Sequence, residues 1–180
     1  MTSPAKPKLA TVWLDGCSGC HMSFLDLDER LITVLEQADL VSSPLVDRKE
    51  FPEAVDIVLV EGAVSSTEDL EKIHNIRRHA RVLVSLGDCA VTANVPSMRN
   101  PAGVKALLDR AYVENATLQQ GTVFDIVPPL LPQSRPVHEV VDVDVFVPGC
   151  PPPADAIYYV VTELLAGRIP DAATVTRFGK

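Results

Sequence analysis

The sequence lacks a basic excess. Lys and Arg number 16 against 24 Asp and Glu, a formal net charge of -8, and a chain without a positive face has no electrostatic means of gripping nucleic acid unspecifically. It also lacks any apolar run approaching the length of a membrane span. The residues after Met1, Thr2-Ser3-Pro4-Ala5-Lys6-Pro7-Lys8, contain neither a hydrophobic leader core nor twin arginines. The expectation is a soluble, cytoplasmic chain without membrane contact. No Gly-x-Gly-x-x-Gly turn follows a strand, so no nicotinamide site is expected. Internal repeats and low-complexity segments are absent as well. Cysteine is scarce, at four residues, and in a reducing compartment such thiols are expected as ligands or redox groups and not as structural disulfides.

What is present is apolar content, 47% of 180 residues, enough for one domain whose core needs no metal. Leu9 to Leu14 is apolar almost throughout and reads as a strand covered on both faces. Phe24, Leu27, Leu31, Val34, Leu35 and Ala38 recur at helical steps and predict one helix running to about Gln37. Strands are expected at Leu40 to Val46 and Val55 to Val60. Ser65 to Glu68 has capping-box spacing ahead of a helix marked by Leu70, Ile73, Ile76 and Ala80. Arg81 to Leu86 reads as the fourth strand. Asn100-Pro101 predicts the start of a helix turning Val104, Leu107, Leu108 and Ala111 inward. Glu114 to Pro136, with Pro128, Pro129, Pro132 and Pro136, reads as an excursion or partner-contact loop. Val140 to Val147 is the last strand, and Ile157, Val160, Val161, Leu164 and Leu165 line a closing helix stopped by Gly167. The alternation implies an α/β, flavodoxin-like doubly wound parallel sheet. It is expected as a single domain over 9–168, between a flexible N-terminus, 1–8, and a C-terminal tail, 169–180.

Cys17, Cys20, Cys89 and Cys150 all fall just beyond predicted strand ends, the edge where such sheets bind ligands. Three loops can therefore bring four thiolates to one site. That set suits tetrahedral zinc or a 4Fe-4S cluster. Structural zinc usually takes two close-spaced pairs, whereas here one Cys-x-x-Cys joins two solitary cysteines, which favours the cluster. A dithiol exchange pair at Cys17 and Cys20 is a further reading, but it leaves Cys89 and Cys150 unexplained. Gly16, Gly19, Gly87 and Gly149 lie beside the thiols and allow backbone N-H groups to approach sulfur.

Four stretches carry a resemblance to a known family: Leu14-Asp15-Gly16-Cys17-Ser18-Gly19-Cys20-His21-Met22-Ser23-Phe24, Val60-Glu61-Gly62-Ala63-Val64, Gly87-Asp88-Cys89-Ala90-Val91 with Thr92 to Pro96, and Pro148-Gly149-Cys150-Pro151-Pro152. Together they resemble the small subunit of nickel-iron hydrogenases, more narrowly that of the cytoplasmic, bidirectional, NAD-reducing enzymes. The resemblance implies that Cys17, Cys20, Cys89 and Cys150 hold one 4Fe-4S cluster. That cluster is proximal to a nickel-iron centre in a separate large subunit, and it passes electrons to flavin- and iron-sulfur-containing diaphorase subunits. The iron-sulfur subunit of complex I quinone reductases is also similar, but there the first two ligands are adjacent cysteines. A quinone-reductase-type subunit and a zinc-stabilised interaction module remain the alternatives.

No residue of the chain is expected to be catalytic. Glu61 is expected either to cap its turn or to support the site as a hydrogen-bonding or proton-relay group. His21 stands beside a complete ligand set and is not expected to bind metal, and His74, His79 and His138 read as surface residues. Asp88 is expected to steady the Cys89 loop, and Trp13 and Phe24 to pack in the core. The fold accommodates FMN at the same edge, but with a cluster there none is expected in this chain.

Overall fold

A computed structural model describes residues 5–48, 50–118 and 126–178. β1 (Lys8–Trp13) leads into α1 (Gly19–Leu25) and α2 (Arg30–Gln37), followed by β2 (Asp39–Ser42) and β3 (Val55–Glu61). A short β4 (Val64–Ser66) precedes α3 (Thr67–His79) and β5 (Ala80–Leu86). Then come α4 (Asp88–Thr92), α5 (Asn94–Ser97), α6 (Gly103–Asp109), β6 (Leu130–Arg135), β7 (Val145–Val147) and α7 (Ala154–Leu165). Five strands form a sheet in the order β2-β1-β3-β5-β7, and every pairing in it is parallel. This is the flavodoxin-like order, with its switch point between β1 and β3.

Alternation along the strands divides the core in two, because successive side chains point to opposite faces. Leu9, Ile57, Leu59, Val84 and Val147 meet Phe24, Leu27, Val34, Ile157 and Val160 from α1, the turn after it, α2 and α7. Ala10, Val12, Val58, Val60 and Leu83 meet Ile73 and Ile76 of α3. Both faces are covered, which is why the strands read as near-continuous apolar runs.

Several sequence expectations need correction. The helix expected from Phe24 to Gln37 is two helices, broken where Asp28 takes φ 51. The apolar period runs through the break and hides it; Asp is one of the few residues that tolerate that conformation. β2 is shorter than expected because Ser43 Oγ accepts from the Leu45 N-H at 3.1 Å and turns the chain. Asn100 does not cap α6, whose N-cap is Ala102 and which buries no residue. Its amide instead joins Ser134 through Nδ2 to the carbonyl, 2.9 Å, and from the Ser134 N-H to Oδ1, 2.8 Å. The segment expected as an irregular excursion contains β6, antiparallel to β4; its residues 119–125 lie outside the described set. β7 begins only at Val145, since Asp144 Oδ2 accepts from the Leu83 N-H at 2.7 Å and from Arg77. Trp13 is not core: it is 47% exposed, whereas Phe24 is 1% exposed as expected.

The capping box of α3 sits one residue later than Ser65 to Glu68. Ser66 accepts from the Asp69 N-H and Asp69 Oδ2 accepts from the Ser66 N-H, with Ser65 N-H adding a third contact at 3.2 Å. Asp69→Ala is therefore expected to lower stability by about 1–2 kcal/mol in urea unfolding. Glu68→Ala should stay within about 0.5 kcal/mol of the parent; the reverse ranking would place the box at Ser65 to Glu68 after all.

Candidate metal centre

The site is built by register. Trp13 lies beside Glu61, Glu61 beside Leu86 and Leu86 beside Val147, so the loops leaving β1, β5 and β7 start level. Cys17 lies in the first of these loops and Cys20 in the first turn of α1; Cys89 is in the first turn of α4 and Cys150 follows β7. None of the four is in a disulfide.

Gly87, the N-cap of α4, has φ 84 and ψ 160, a conformation essentially reserved for glycine. A Cβ there would lie 2.2 Å from Cys20 Sγ, so the missing side chain is what lets the β5 exit pass against that thiol. The Cys89 and Cys150 loops are locked together. Asp88 N-H donates to the Gly149 carbonyl at 2.8 Å, and Gly149 N-H donates to Asp88 Oδ1 at 2.7 Å. Asp88 steadies the Cys89 loop, as expected, by gripping its neighbour.

Cys17 and Cys150 are exposed, Cys89 is half-buried and Cys20 is buried. A cavity of about 240 Å³ is lined by Asp15, Gly16, Cys17, Cys89, Val95, Pro96 and Cys150. Burial pushes the Cys20 thiol far up, and the charges of Glu61, Cys89, Cys17 and Cys150 push the same way. Burial also raises Cys89; a hydrogen bond from the Val95 backbone opposes it, while Cys17 and Cys150 add to the rise. The four thiols thus lie within each other's fields. Cys20 so placed stays a thiol in the metal-free chain. It becomes a thiolate only when a cation compensates it.

Among the described residues, no three of His, Cys, Asp and Glu stand close enough to grip one metal ion. A single tetrahedral zinc would hold its sulfurs roughly 4 Å apart, given a Zn-S bond of about 2.3 Å. Cys17, Cys89 and Cys150 line a cavity with room for a group of several metal atoms. Asn94 Nδ2 points at Cys150 Sγ from 3.7 Å, a donor suited to a sulfur that carries charge.

Sequence reading missed how His21 is used. Its ring is buried, 6% exposed; Nδ1 bonds Glu61 Oε2 and Nε2 meets Thr11 Oγ1 at 2.9 Å. Thr11 in turn meets Ser43 Oγ at 2.7 Å. Ser18, the N-cap of α1, has φ 65 and gives no side-chain cap. Glu61 supplies the cap from the neighbouring strand, accepting the His21 N-H at 2.9 Å. It caps α1 and not its own turn. His79 bonds the Asn75 carbonyl and His138 packs edge-on to Phe146. His74 is exposed.

Gly87→Ala tests how closely the loops are packed. Gly167→Ala, with φ +75 and nothing within 4 Å, should cost about 1–2 kcal/mol from backbone strain alone. Gly87→Ala should cost more in the same denaturant titration, because it adds the collision with Cys20. Equal losses would mean that the thiol yields freely.

Residues 17–164 match the family described as NADH ubiquinone oxidoreductase, 20 Kd subunit. The delta subunit of the NAD-reducing hydrogenase HoxS of Cupriavidus necator is 45% identical over 168 residues, covering 91% of this chain and 80% of that protein. A subunit of the F420-non-reducing hydrogenase of Methanothermobacter marburgensis is 40% identical over 168 residues, 90% of this chain but only 54% of its own length. A chain in the crystal structure of an NAD+-reducing NiFe hydrogenase in the H2-reduced state superposes with a TM-score of 0.88 at 39% identity, over 96% of this chain and 99% of that one. The chain belongs to the 20 Kd subunit family of NADH ubiquinone oxidoreductase, together with the delta subunit of NAD-reducing hydrogenase.

Proposed function

We propose that this chain is the electron-transfer small subunit of a cytoplasmic, NAD-reducing nickel-iron hydrogenase. Cys17, Cys20, Cys89 and Cys150 hold one 4Fe-4S cluster proximal to a nickel-iron centre in a separate large subunit, and 9–168 is the iron-sulfur domain. The overall reaction is H2 + NAD+ giving NADH + H+, with the electrons leaving through flavin- and iron-sulfur-containing diaphorase subunits. The observation that carries this reading is the convergence of four thiols from three strand-end loops, with Cys17, Cys89 and Cys150 lining one cavity and Cys20 buried against Gly87 within their field. The relationship to the HoxS delta subunit supports the choice of reaction.

When bound, the cluster takes up and releases single electrons. The chain's residues hold and shield it. Four thiolates ligate it, the Asn94 amide approaches Cys150 Sγ, and Val95 and Pro96 wall the cavity with apolar surface. Val95, on the cavity wall, is 59% exposed and Met98, three residues on, 76%, and Pro148 to Pro153 stiffen the adjoining Cys150 loop. Apolar, rigid surface of this kind supports docking of the large subunit there. Among the described residues no helix is long and apolar enough to cross a membrane.

Two other readings are weaker. In a complex I quinone-reductase subunit the first two ligands are adjacent, whereas here Ser18 and Gly19 separate Cys17 from Cys20. A zinc-stabilised module usually takes two close-spaced cysteine pairs, whereas this chain has one, with Cys89 and Cys150 each on its own loop. Anaerobically purified chain is expected to contain about four irons and four labile sulfides, with a broad band near roughly 400 nm that dithionite bleaches. Each of Cys17→Ala, Cys20→Ala, Cys89→Ala and Cys150→Ala should lose or degrade that signal while keeping the apolar fold. One zinc and no such band, or full iron content in all four variants, would refute the proposal.

A further inference from the structure

Glu61 lies 2% exposed at the end of β3, where a carboxylate has little water to solvate it. Its Oε2 accepts both the backbone N-H and the ring Nδ1-H of His21. With hydrogen on Nδ1, the ring's Nε2 accepts from the Thr11 hydroxyl. Ser43 Oγ accepts the Leu45 N-H, which leaves its own hydrogen for Thr11. With Glu61 ionised, Ser43, Thr11 and His21 all donate in one direction, towards the carboxylate. The chain of hydroxyls and imidazole can thus orient to stabilise a buried carboxylate. Among the described residues His21 is the one ionisable group paired with Glu61, and no Lys or Arg reaches it.

The carboxylate lies against the backbone on either side of the Cys17–Cys20 pair. A Cβ on Gly16, the residue before Cys17, would come 3.7 Å from Glu61 Oε1 and 3.2 Å from the Gly62 Cα. The Cys17 loop thus passes over the carboxylate with no side chain between. On the other side, the group Glu61 caps is the residue next to Cys20. Without it the first turn of α1 would have no side-chain cap, because Ser18 provides none.

We propose that Glu61 is a positioning residue for the cluster: through His21 it holds Cys20 in place, and its carboxylate charge lowers the cluster's reduction potential. This rests on the four-cysteine reading of the site. An added electron makes the cluster more negative, so a fixed negative charge in a dry surrounding disfavours reduction. The same field opposes ionisation of Cys20 in the cluster-free chain.

The test uses the full chain, purified anaerobically, with iron and sulfide analysis, electron paramagnetic resonance and a redox titration. A parent protein without iron and sulfide defeats the four-cysteine reading itself, independently of Glu61. Given a loaded parent, Glu61→Gln keeps the shape and an acceptor oxygen but removes the charge. It is expected to retain full iron content and to titrate at a more positive potential. Glu61→Ala removes the cap as well and is expected to lose iron and broaden the resonance signal. Circular dichroism checks folding, and Glu61→Gln alone decides if Glu61→Ala does not fold. An unchanged potential in Glu61→Gln, or parental iron content and line shape in a folded Glu61→Ala, overturns the inference.

Discussion

The site depends on the parallel register that sets the ends of β1, β3, β5 and β7 level, with Trp13, Glu61, Leu86 and Val147 in line. A slip of one residue in a strand would turn every side chain to the opposite face. Ile57 and Leu59 could then no longer meet α7 while Val58 and Val60 meet α3. It would also carry a thiol loop about 3.3 Å along the strand. Core packing and thiol convergence are therefore one constraint. The two apolar layers fix the register, and the register delivers the cysteines.

Electrostatics works against the same convergence. Burial and neighbouring thiols oppose charge on Cys20 and Cys89, so without a metal group these two stay thiols. A metal group with enough positive charge reverses that balance, and its binding releases protons. The fold need not wait for it, since the apolar layers lie behind the loops. Glycine at position 87 and the paired hydrogen bonds between Asp88 and Gly149 keep the loops close before any ligand arrives.

The thiol positions were legible in the sequence because the near-continuous apolar runs of β1, β5 and β7 each end in a short glycine-containing turn with a cysteine. The parallel sheet and its flavodoxin-like order followed from strands alternating with helices along the chain. Less visible were features that depend on one backbone angle or on distant partners. Asp28 breaks a helix without interrupting its apolar period, and Trp13 is apolar but stands at the outer end of its strand. Val140, Val141 and Val143 read as strand, yet they only pack partly buried against the sheet ahead of β7. His21 and Glu61 are 40 positions apart; a Cys-x-x-Cys-His motif and a glutamate at a strand end were the only local signals. Their meeting requires the register of β1 on β3, which no local pattern contains.

The central claim is that the four-cysteine site carries electrons between hydrogen and the nicotinamide. Electron paramagnetic resonance of the intact native complex tests it most directly, with hydrogen and NADH added separately. The account predicts that either reductant produces the same cluster signal, and that Cys89→Ala abolishes it together with hydrogen-driven NAD reduction in an otherwise assembled complex. Hydrogen-driven NAD reduction persisting in that variant at the parental rate would contradict it.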